Sequence, residues 1–513
     1  MNPQRDTLFS GFVEAVGRYG RRSSGQWEDM KPGSYSYGDL LEMTLALGRL
    51  ISKISAEGEH VGLLMPNMAV TAGLLIGASA FRRVPCMLNY TAGAEGVSGA
   101  CRTARIRLVI TSREFIARAN LSDEISRLQG VELCLLEDLR KRFGLADKLW
   151  LMGFARHFPL RAVPQGDAES PAVVLFTSGS EGKPKGVVLS HRAVLSQVEQ
   201  IREILPLRRD DKIFNALPIF HSLGLTAGVF MPLYLGIPLF MYVSPLHYKT
   251  IPQLIGEKRC ATLFATSTFL NHYAAHATRE QLRTLRFVIA GAEKLAEPVR
   301  SLWQDEFGID ILEGYGTTEL APVVSVNLPG ASRPGSVGRL LPRIEARLVP
   351  VPGIERGGEL HLRGPNLMSG YYRYERPGRL EPPASSVGTG WYNTGDVVDI
   401  DADGYLSIIG RLKRFAKVAG EMVPLEMAED IARAASVQAM HAAICTADLS
   451  RGEAIVLFTT DSSLTREQLH VAAHGMGYPE IAVPRRIHVM DNLPLLGSGK
   501  IDYARLNLLG TQA

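Results

Sequence analysis

The chain has 513 residues, of which 46% are hydrophobic and 21% are charged. This composition is typical of a folded globular protein and excludes an extended disordered chain, and the length predicts roughly two to four domains. The net charge of +4 is too small to indicate nucleic acid as a partner, so any anionic ligand must be bound by a local basic cluster.

Cysteine use and the N-terminal residues suggest a compartment. Five cysteines are spread along the chain without a CxxC pair, so we expect reduced, mostly buried thiols and no zinc or redox centre. The first residues show no charged leader followed by an apolar run, which predicts a cytoplasmic protein. The apolar residues 61–88 are interrupted by Pro66 and Asn67, too early for the ~20 residues of a spanning helix. We interpret them as strand, buried helix and strand, with at most peripheral contact with the inner membrane.

Short apolar runs alternate with amphipathic segments along the first three hundred residues. Such alternation predicts an α/β architecture of layered subdomains. The runs that we expect to form buried strands are residues 61–65, 85–88, 108–111, 173–176, 213–217, 263–265 and 287–290.

The most informative segment, from Thr177 to Lys185, combines glycines, hydroxyls and two lysines directly after an expected strand. Glycines let neighbouring backbone N–H groups point at one anion, and hydroxyls and lysines add donors and charge. We therefore predict a cradle for a nucleotide triphosphate, with a surface loop rich in glycine and serine as the alternative. Pro184 excludes the spacing of a Walker loop. Ser190 predicts the N-cap of a helix whose dipole would add to the anion site.

Three further glycine-rich segments carry polar side chains suited to a nucleotide. The segment from Glu313 to Glu319 ends in a carboxylate that can hold Mg²⁺ bridging phosphates. Asp396, in a tight turn, can accept hydrogen bonds from ribose hydroxyls, and Lys500 lies in a loop near the C-terminus. Taken singly, Asp396 is better interpreted as a turn residue, and Lys500 as a solvated surface charge.

The residue pattern changes beyond about residue 335. Short glycine-rich segments there predict a β-rich subdomain that reaches residue 410. A further stretch of about a hundred residues follows and is large enough for a small domain. We therefore expect an N-terminal domain over residues 1–410, a hinge over 411–413 and a small α+β domain over 414–513.

In this order and at these separations, the four segments resemble those of the adenylate-forming superfamily of acyl-CoA synthetases, luciferases and peptide-synthetase adenylation domains. The resemblance covers essentially the whole chain and implies a mobile C-terminal lid that turns about Lys413 between two half-reactions. It implies ATP and Mg²⁺ as cofactors, Lys500 as the lysine of adenylation, and Lys417 as an assistant in thioester formation or a solvated surface residue. The residues implied at the phosphates are Thr318 and Glu319, and those implied as magnesium ligands are Thr177 and Glu319. The other nucleotide contacts implied are Thr177, Ser178, Gly179, Ser180, Gly182, Lys183, Lys185, Gly291, Ala292, Glu313, Gly314, Tyr315, Gly316, Thr317, Asp396 and Arg411.

Less general stretches look like the ligase half of the bacterial bifunctional 2-acylglycerophosphoethanolamine acyltransferase/acyl-acyl-carrier-protein synthetase. These stretches are residues 87–93, 244–248, 291–295 and 414–423. The resemblance implies transfer of a long-chain fatty acid to the phosphopantetheine thiol of holo-acyl carrier protein. None of the twelve histidines has an aspartate five positions on, so we expect the acyltransferase half to be missing. A separate lysophospholipid acyltransferase is therefore a candidate partner.

The acid-binding end of the site is less specific. His221, together with Gly291, Ala292 and Gly314, matches positions that border the carboxylate substrate in the superfamily. His221 is therefore either a catalytic or gating residue or a buried, hydrogen-bonded histidine. The apolar residues 223–230 either line a tunnel for an alkyl chain or belong to the core.

The acceptor is open to more than one interpretation. Acyl carrier proteins are acidic and suit a basic junction, but the phosphates of CoA suit the same charges, so a long-chain fatty acyl-CoA synthetase is the alternative. A non-catalytic scaffold that binds a nucleotide or carrier protein is the alternative from another class. It has no need of an adenylation lysine, a metal-binding carboxylate and a ribose-binding carboxylate together. The basic residues at the junction are Arg411, Lys413, Arg414 and Lys417.

Overall fold

The computed structural model describes residues 2, 6–22, 27–178, 183–418, 421–448, 452–495 and 501–511. The chain divides into two compact units, Met1–Glu345 with Arg363–Ala384, and Ala346–Leu362 with Ser385–Ala513. The segment expected to be β-rich, about 335–410, is shared between the two units. The domain boundaries and the hinge expected at residues 411–413 stay predictions.

Among the described residues, the frame of the first unit consists of two mixed sheets of eight strands each. Parallel pairs lie together in both sheets, and antiparallel strands extend them at one end. Neighbouring strands of one sheet are Trp27–Glu28, Leu239–Met241, Ile213–Asn215, Thr262–Ala265, Phe287–Ala290, Ile311–Gly316, Val323–Val326 and Arg339–Leu340. Those of the other are Arg376–Glu381, Gly370–Arg373, Pro184–Ser190, Pro171–Ser178, Val84–Met87, His60–Leu63, Leu108–Thr111 and Glu132–Leu135.

Helices alternate with the strands of these sheets, as α/β layering requires. Their bounds are Leu8–Tyr19, Tyr37–Ser52, Ala69–Ala80, Gly93–Thr103, Arg113–Arg118, Ser122–Ser126, Leu136–Lys141, Leu145–Trp150, His191–Ile204, Ser222–Leu225, Met231–Leu235, Thr250–Glu257, Ser267–Ala274, Arg279–Leu282 and Glu297–Leu302. Short 3₁₀ turns span Tyr90–Ala92, Pro159–Arg161 and Thr318–Leu320, and π-helical turns span Leu151–Ala155, Thr226–Phe230 and Trp303–Phe307.

Each apolar run expected to form a strand does so, and the predicted α/β architecture is confirmed. Residues 61–88 form the expected strand, helix and strand, and every residue of helix Ala69–Ala80 is buried. A helix that is covered on all sides carries no polar face, which explains the apolar character of this stretch. Within the described ranges, no helix combines the length and apolar character needed to cross a membrane.

The helix expected after the glycine loop begins where predicted, but its expected effect on the loop is wrong. Ser190 caps helix His191–Ile204, since its Oγ accepts a hydrogen bond of 3.1 Å from the N–H of Ala193. Strand Pro184–Ser190 runs back along its partner, so Ser190 lies opposite Pro171 at the far end of the hairpin. This strand of 7 residues, at ~3.3 Å per residue, separates the helix from the loop, and the helix dipole does not act there.

The second unit contains two further sheets. One has the strand order Glu345–Val349, Gly358–Arg363, Tyr392–Ile400 and Leu406–Arg411. The other has the order Glu421–Pro424, Phe415–Val418, Gly452–Thr459 and His441–Asp448, and Arg486–Val489 also pairs with Gly452–Thr459. Its helices are Leu425–Ala435, Arg466–Gly475 and Tyr503–Thr511, its 3₁₀ turns are Leu412–Arg414 and Glu480–Ala482, and a separate short ribbon joins Ala384–Ser385 to Gly388–Thr389.

The cysteines are free thiols, as expected, and Cys86, Cys101 and Cys260 are buried. Burial raises the pKa of Cys101 and the pKa of Cys260 to about 12. These thiols therefore stay protonated at neutral pH and are poor nucleophiles.

A buried histidine makes the stability of the first unit depend on pH. The Nδ1 atom of His191 accepts a hydrogen bond of 3.0 Å from the backbone N–H of Leu8. Burial lowers the pKa of His191 from 6.5 to about 4. At a pH between these two pKa values, the unfolded chain binds a proton at this histidine that the folded chain does not bind. The free energy of unfolding therefore falls as the pH drops, by at most ~3 kcal/mol.

We therefore expect the urea midpoint of the wild-type protein to decrease more steeply from pH 7 to pH 4.5 than that of His191→Gln. The amide of the variant can still accept the hydrogen bond from Leu8, but it does not titrate. Equal slopes for the two proteins would contradict a neutral, buried imidazole at this position.

Candidate active site

The described residues at the two ends of the predicted phosphate loop belong to a pair of antiparallel strands in the first unit. Strands Pro171–Ser178 and Pro184–Ser190 pair in antiparallel register, with Thr177 opposite Lys185. Directly opposite residues of such a pair project from the same face of the sheet. The hairpin therefore brings two predicted site residues together at the base of the loop. The predicted residues Gly179, Ser180 and Gly182, and the side chain of Ser178, lie outside the part of the chain that the structure describes.

Lys185 contacts a tyrosine that the sequence analysis did not identify. Its Nζ atom lies 5.6 Å from the ring centroid of Tyr371, within range of a cation–π interaction. The hydroxyl of Tyr371 in turn donates a hydrogen bond of 2.6 Å to Oε1 of the buried Glu319. Tyr371 therefore connects the lysine of the hairpin with the predicted magnesium ligand. Its only sequence signal is the repeated tyrosine of Gly370–Arg373, a pattern typical of an ordinary half-buried strand.

The other lysine of the loop region lies farther out. Lys183 is half exposed, and its Nζ atom lies 3.5 Å from the carboxylate of Glu375 and 5.3 Å from the ring centroid of Tyr374. The guanidinium of Arg102 lies 4.6 Å from the same ring centroid. This second cluster of cations and an aromatic ring fixes the strand that leaves the loop.

The segment from Glu313 to Glu319 forms strand Ile311–Gly316 and the following 3₁₀ turn. A Cβ atom at Gly316 would lie 2.3 Å from the carbonyl oxygen of Pro322, so only glycine allows this close approach. The N–H of Thr317 donates a hydrogen bond of 2.9 Å to the same carbonyl. The hydroxyls of Thr318 and Ser222 lie 3.2 Å apart, which adds a second side chain that the sequence analysis missed.

Glu313 is engaged with a neighbouring cation. Its carboxylate forms a close ion pair with Nη2 of Arg300, and both side chains are largely buried. Burial raises the pKa of Glu313, while the charge of Arg300 opposes that shift. The predicted nucleotide contact of this carboxylate stays a prediction, and the ion pair gives it a structural role as well.

The predicted acid-binding residues lie next to one another on successive strand ends. Gly291 follows strand Phe287–Ala290, and Ala292 adopts a left-handed φ of 70°. A Cβ atom at Gly291 would lie 3.5 Å from the carbonyl oxygen of Gly314 and 3.9 Å from Cδ2 of Leu223. Gly291, Gly314 and Leu223 are therefore neighbours in the structure. Leu223 is the first residue of the apolar segment 223–230.

His221 precedes the short helix Ser222–Leu225, and its ring centroid lies 4.7 Å from that of Phe220. The side chain is exposed rather than buried. The alternative of a buried structural histidine is therefore wrong, whereas a catalytic or gating role stays a prediction.

The residues present fit a magnesium ion that is shared with a nucleotide. Magnesium prefers oxygen ligands and usually takes only one or two carboxylates from the protein, with phosphates and waters completing the shell. Glu319 has a buried carboxylate that would suit the ion, and Thr177 and Thr318 have hydroxyls that would suit the ion or its phosphates. The buried Oγ1 atom of Thr317 finds no hydrogen-bond partner among the described residues. Across the same residues no group of three or more histidine, cysteine, aspartate or glutamate side chains is placed to hold a metal ion.

In the second unit, the two predicted ribose-binding residues lie together. Asp396 and Arg411 are directly opposite on strands Tyr392–Ile400 and Leu406–Arg411. The Nε atom of Arg411 lies 2.9 Å from Oδ1 of the buried Asp396, while the arginine itself is exposed. The pair holds the carboxylate of Asp396 in place at the strand surface.

The basic junction residues do not all present their charge to a ligand. Arg414 lies 2.7 Å from the carboxylate of Glu429, and its guanidinium stacks 3.8 Å from the ring centroid of Tyr503. Lys413 and Lys417 are exposed, whereas the predicted Lys500 lies outside the described residues. The interpretation of Arg414 as part of a docking charge is therefore wrong, because its charge is neutralised within the unit.

Comparison with known proteins identifies the family and the fold of this chain. Residues 14–372 match the model of the family described as AMP-binding enzyme. A long-chain-fatty-acid–CoA ligase of Salmonella typhimurium is 28% identical over 483 residues, which cover 87% of this chain and 84% of that protein. An oxalate–CoA ligase of Arabidopsis thaliana is 29% identical over 484 residues, 90% of each chain. ATP-bound MatB from Rhodopseudomonas palustris has the same fold, with a TM-score of 0.82 at 22% identity over 98% of this chain and 99% of that chain.

The role of Tyr371 can be tested by removing its hydroxyl. We expect Tyr371→Phe to raise the Mg²⁺ concentration needed for ATP binding by about tenfold, because Glu319 loses a charge-assisted hydrogen bond. Isothermal titration of ATP at several Mg²⁺ concentrations measures this shift. The control is Tyr372→Phe on the opposite face of the strand. The same response from both variants would contradict a specific link between Tyr371 and Glu319.

Proposed function

We propose that this chain, which belongs to the AMP-binding enzyme family, joins a long-chain fatty acid to a phosphopantetheine thiol. It is an ATP- and Mg²⁺-dependent ligase that forms acyl adenylates. The observation that carries the proposal is the grouping of Lys185, Tyr371 and Glu319 beside the paired strands Pro171–Ser178 and Pro184–Ser190. This grouping combines a cation and a buried carboxylate beside a predicted triphosphate cradle, which is what phosphoryl chemistry needs.

In the proposed first half-reaction, an oxygen of the fatty acid carboxylate attacks the α-phosphorus of ATP. The new oxygen–phosphorus bond forms as the bond to pyrophosphate breaks. Two anions must approach each other, so positive charge at the phosphates lowers the barrier. Lys185 supplies one such charge, and Lys500 is proposed to supply another. When bound, Mg²⁺ would offset the charge of the phosphate oxygens.

In the proposed second half-reaction, the thiol gives up its proton to solvent, its sulfur attacks the acyl carbon, and AMP leaves with the bonding electron pair. The mixed anhydride is already a good electrophile, so the step needs no protein nucleophile. The raised pKa of Cys101 and the raised pKa of Cys260 support this view, since neither thiol ionises at neutral pH. Lys417, exposed on strand Phe415–Val418, is proposed to assist this step.

The length of the acid is proposed from two observations. Similar proteins include a long-chain-fatty-acid–CoA ligase. The apolar residues 223–230 begin beside Gly291 and Gly314, where the carboxylate is proposed to bind. An alkyl chain that follows this segment would be shielded from water.

CoA is the acceptor that the similar ligases favour. A second candidate is holo-acyl carrier protein, which carries the same thiol. The observation that favours it is the resemblance of residues 414–423 to the carrier-protein ligases. With the charge of Arg414 neutralised internally, Lys413 and Lys417 are exposed cations of the basic junction that would face either acceptor.

The domain organisation expected from the sequence forms part of the proposal. Lys413 lies exposed in the 3₁₀ turn Leu412–Arg414, between strands Leu406–Arg411 and Phe415–Val418. We propose that this turn is the hinge and that residues 414–513 form the lid. The two half-reactions would then use different lid orientations.

A competition between acceptors tests the proposed function. The purified protein is incubated with palmitate, ATP, Mg²⁺ and equal amounts of CoA and holo-acyl carrier protein, and all products are analysed by intact-mass spectrometry. Predominant palmitoyl-CoA supports CoA, and predominant palmitoyl-carrier protein supports the second candidate. Formation of neither thioester, with no AMP released, would contradict the proposed ligase.

The role of Lys500 predicts a separation of the half-reactions. We expect Lys500→Ala to reduce palmitate-dependent ATP–pyrophosphate exchange by about a hundredfold or more, because a charge at the phosphates is lost. Thioester formation from supplied palmitoyl-AMP should stay within about threefold of wild type. Lys249→Ala, at an exposed lysine elsewhere, is the control. Equal losses in both half-reactions would refute the assignment.

A further inference from the structure

An apolar surface in the first unit is not used by the proposed active site. We define this surface, the apolar ridge, as residues 145–161. It comprises helix Leu145–Trp150, the π-helical turn Leu151–Ala155 and the 3₁₀ turn Pro159–Arg161. Large apolar side chains are normally buried, and a contiguous group of exposed ones marks an interaction surface. The most exposed members are Leu145 at 73%, Leu149 at 66%, Leu160 at 53%, Met152 at 51% and Phe158 at 50%.

The exposed side chains follow helical spacing. Leu145, Leu149 and Met152 occupy positions i, i+4 and i+7, which lie on one face of a helix. Asp147 and Leu151, on the other face, are buried. The helix therefore exposes apolar side chains and buries an acidic one, which is the opposite of the usual arrangement of a surface helix.

Ion pairs and a cation–π contact hold the inner face of the ridge against the rest of the unit. The carboxylate of Asp147 lies 2.7 Å from Nε of Arg49, on helix Tyr37–Ser52, and 2.5 Å from Nζ of Lys53, the residue that follows this helix. The guanidinium of Arg49 also lies 4.3 Å from the ring centroid of Trp150. These contacts fix the inner face, so the outward apolar face is a feature of the packed structure and does not result from a loose segment.

The sequence of the ridge and its immediate flanks is rich in basic residues. Between residues 140 and 164 the only acidic residue is Asp147, which faces inward and is neutralised by Arg49 and Lys53. The guanidinium of Arg161 lies 5.7 Å from the ring centroid of Phe158, so basic and apolar groups are interleaved. The basic residues of this stretch are Arg140, Lys141, Arg142, Lys148, Arg156 and Arg161. Arg156 lies 3.5 Å from Glu42 and Lys141 lies 2.8 Å from Asp138, so the charge offered to lipid phosphates comes mainly from the other four.

We propose that the apolar ridge docks on the surface of an anionic lipid bilayer. Leu, Met and Phe side chains would enter the boundary between headgroups and acyl chains, while lysines and arginines would reach the lipid phosphates. Long basic side chains suit this position because their stems lie along apolar surface while their charges stay at the interface. The core of a protein–protein interface is instead depleted in lysine, and the ridge carries Lys148 between two exposed leucines.

Docking would bring the enzyme to its acid substrate, since long-chain fatty acids partition into bilayers. This consequence rests on the proposed function, whereas docking itself does not. Vesicle binding in the absence of ATP and fatty acid therefore tests the ridge independently of catalysis.

The first experiment is sedimentation of the full chain with two kinds of vesicle. One is pure phosphatidylcholine, and the other is phosphatidylcholine with phosphatidylglycerol. We expect binding to the anionic vesicles to be about tenfold stronger, and to weaken as salt increases, because the basic residues act through screened charge. Equal or absent sedimentation with both kinds of vesicle would overturn the proposal.

Variants locate the binding surface. We expect Leu149→Ser with Met152→Ser, and separately Lys148→Glu with Arg161→Glu, to weaken binding to anionic vesicles by about tenfold or more. Val471→Ser is the matched control, since Val471 is 74% exposed in the second unit. Variants that keep wild-type binding would overturn the proposal. A wild-type dimer in solution that the ridge variants dissociate would also overturn it, in favour of contact with a second copy.

Two further measurements separate docking from damage to the fold. Octanoate-dependent ATP–pyrophosphate exchange without vesicles should be unchanged in the ridge variants, because they lie outside the proposed active site. A tryptophan at position 149, in Leu149→Trp, should shift its emission to the blue when anionic vesicles are added, whereas Val471→Trp should not. Absence of the shift in Leu149→Trp would show that the ridge does not enter the bilayer.

Discussion

The antiparallel pairing of strands Pro171–Ser178 and Pro184–Ser190 is the constraint on which the proposed site depends. It returns the chain after the glycine loop, places Lys185 opposite Thr177, and offers its other edge to strand Gly370–Arg373. Tyr371 on that strand then lies against Lys185 and donates its hydroxyl to Glu319. Residues that are almost two hundred positions apart are thus joined by strand pairing, and the side chains need only their ordinary directions from a pleated sheet.

Much of the first unit could be predicted from local pattern. Apolar runs bounded by turn residues gave the strands, because burial on both faces leaves no polar position in a central strand. Ser190 was correctly identified as an N-cap because capping depends on near neighbours. The direction of the chain after the loop could not be predicted in the same way. A hairpin and a strand-to-helix turn share the same glycine-rich composition, and the choice between them depends on pairing with distant strands.

The same limit applies to charge. From the sequence, Arg414 looked like a group that presents its charge to a ligand, but it is paired with the buried Glu429. Glu313, which the resemblance implies as a nucleotide contact, is paired with the largely buried Arg300. Such pairing avoids the cost of an isolated buried charge. Tyr371 shows the converse, since a tyrosine in a strand pattern carries no local sign that its hydroxyl reaches a carboxylate. Contacts between distant segments decided which polar residues belong to the site.

The proposed function depends on one step, in which a carboxylate oxygen of the substrate attacks the α-phosphorus of ATP. The most direct test is to supply palmitate labelled with ¹⁸O in both carboxylate oxygens, together with ATP, Mg²⁺ and CoA or holo-acyl carrier protein, and to weigh the released nucleotide. The account predicts AMP that carries one ¹⁸O atom, because cleavage of the adenylate leaves one substrate oxygen on phosphorus. Release of ADP with labelled inorganic phosphate, or of unlabelled AMP, would contradict it.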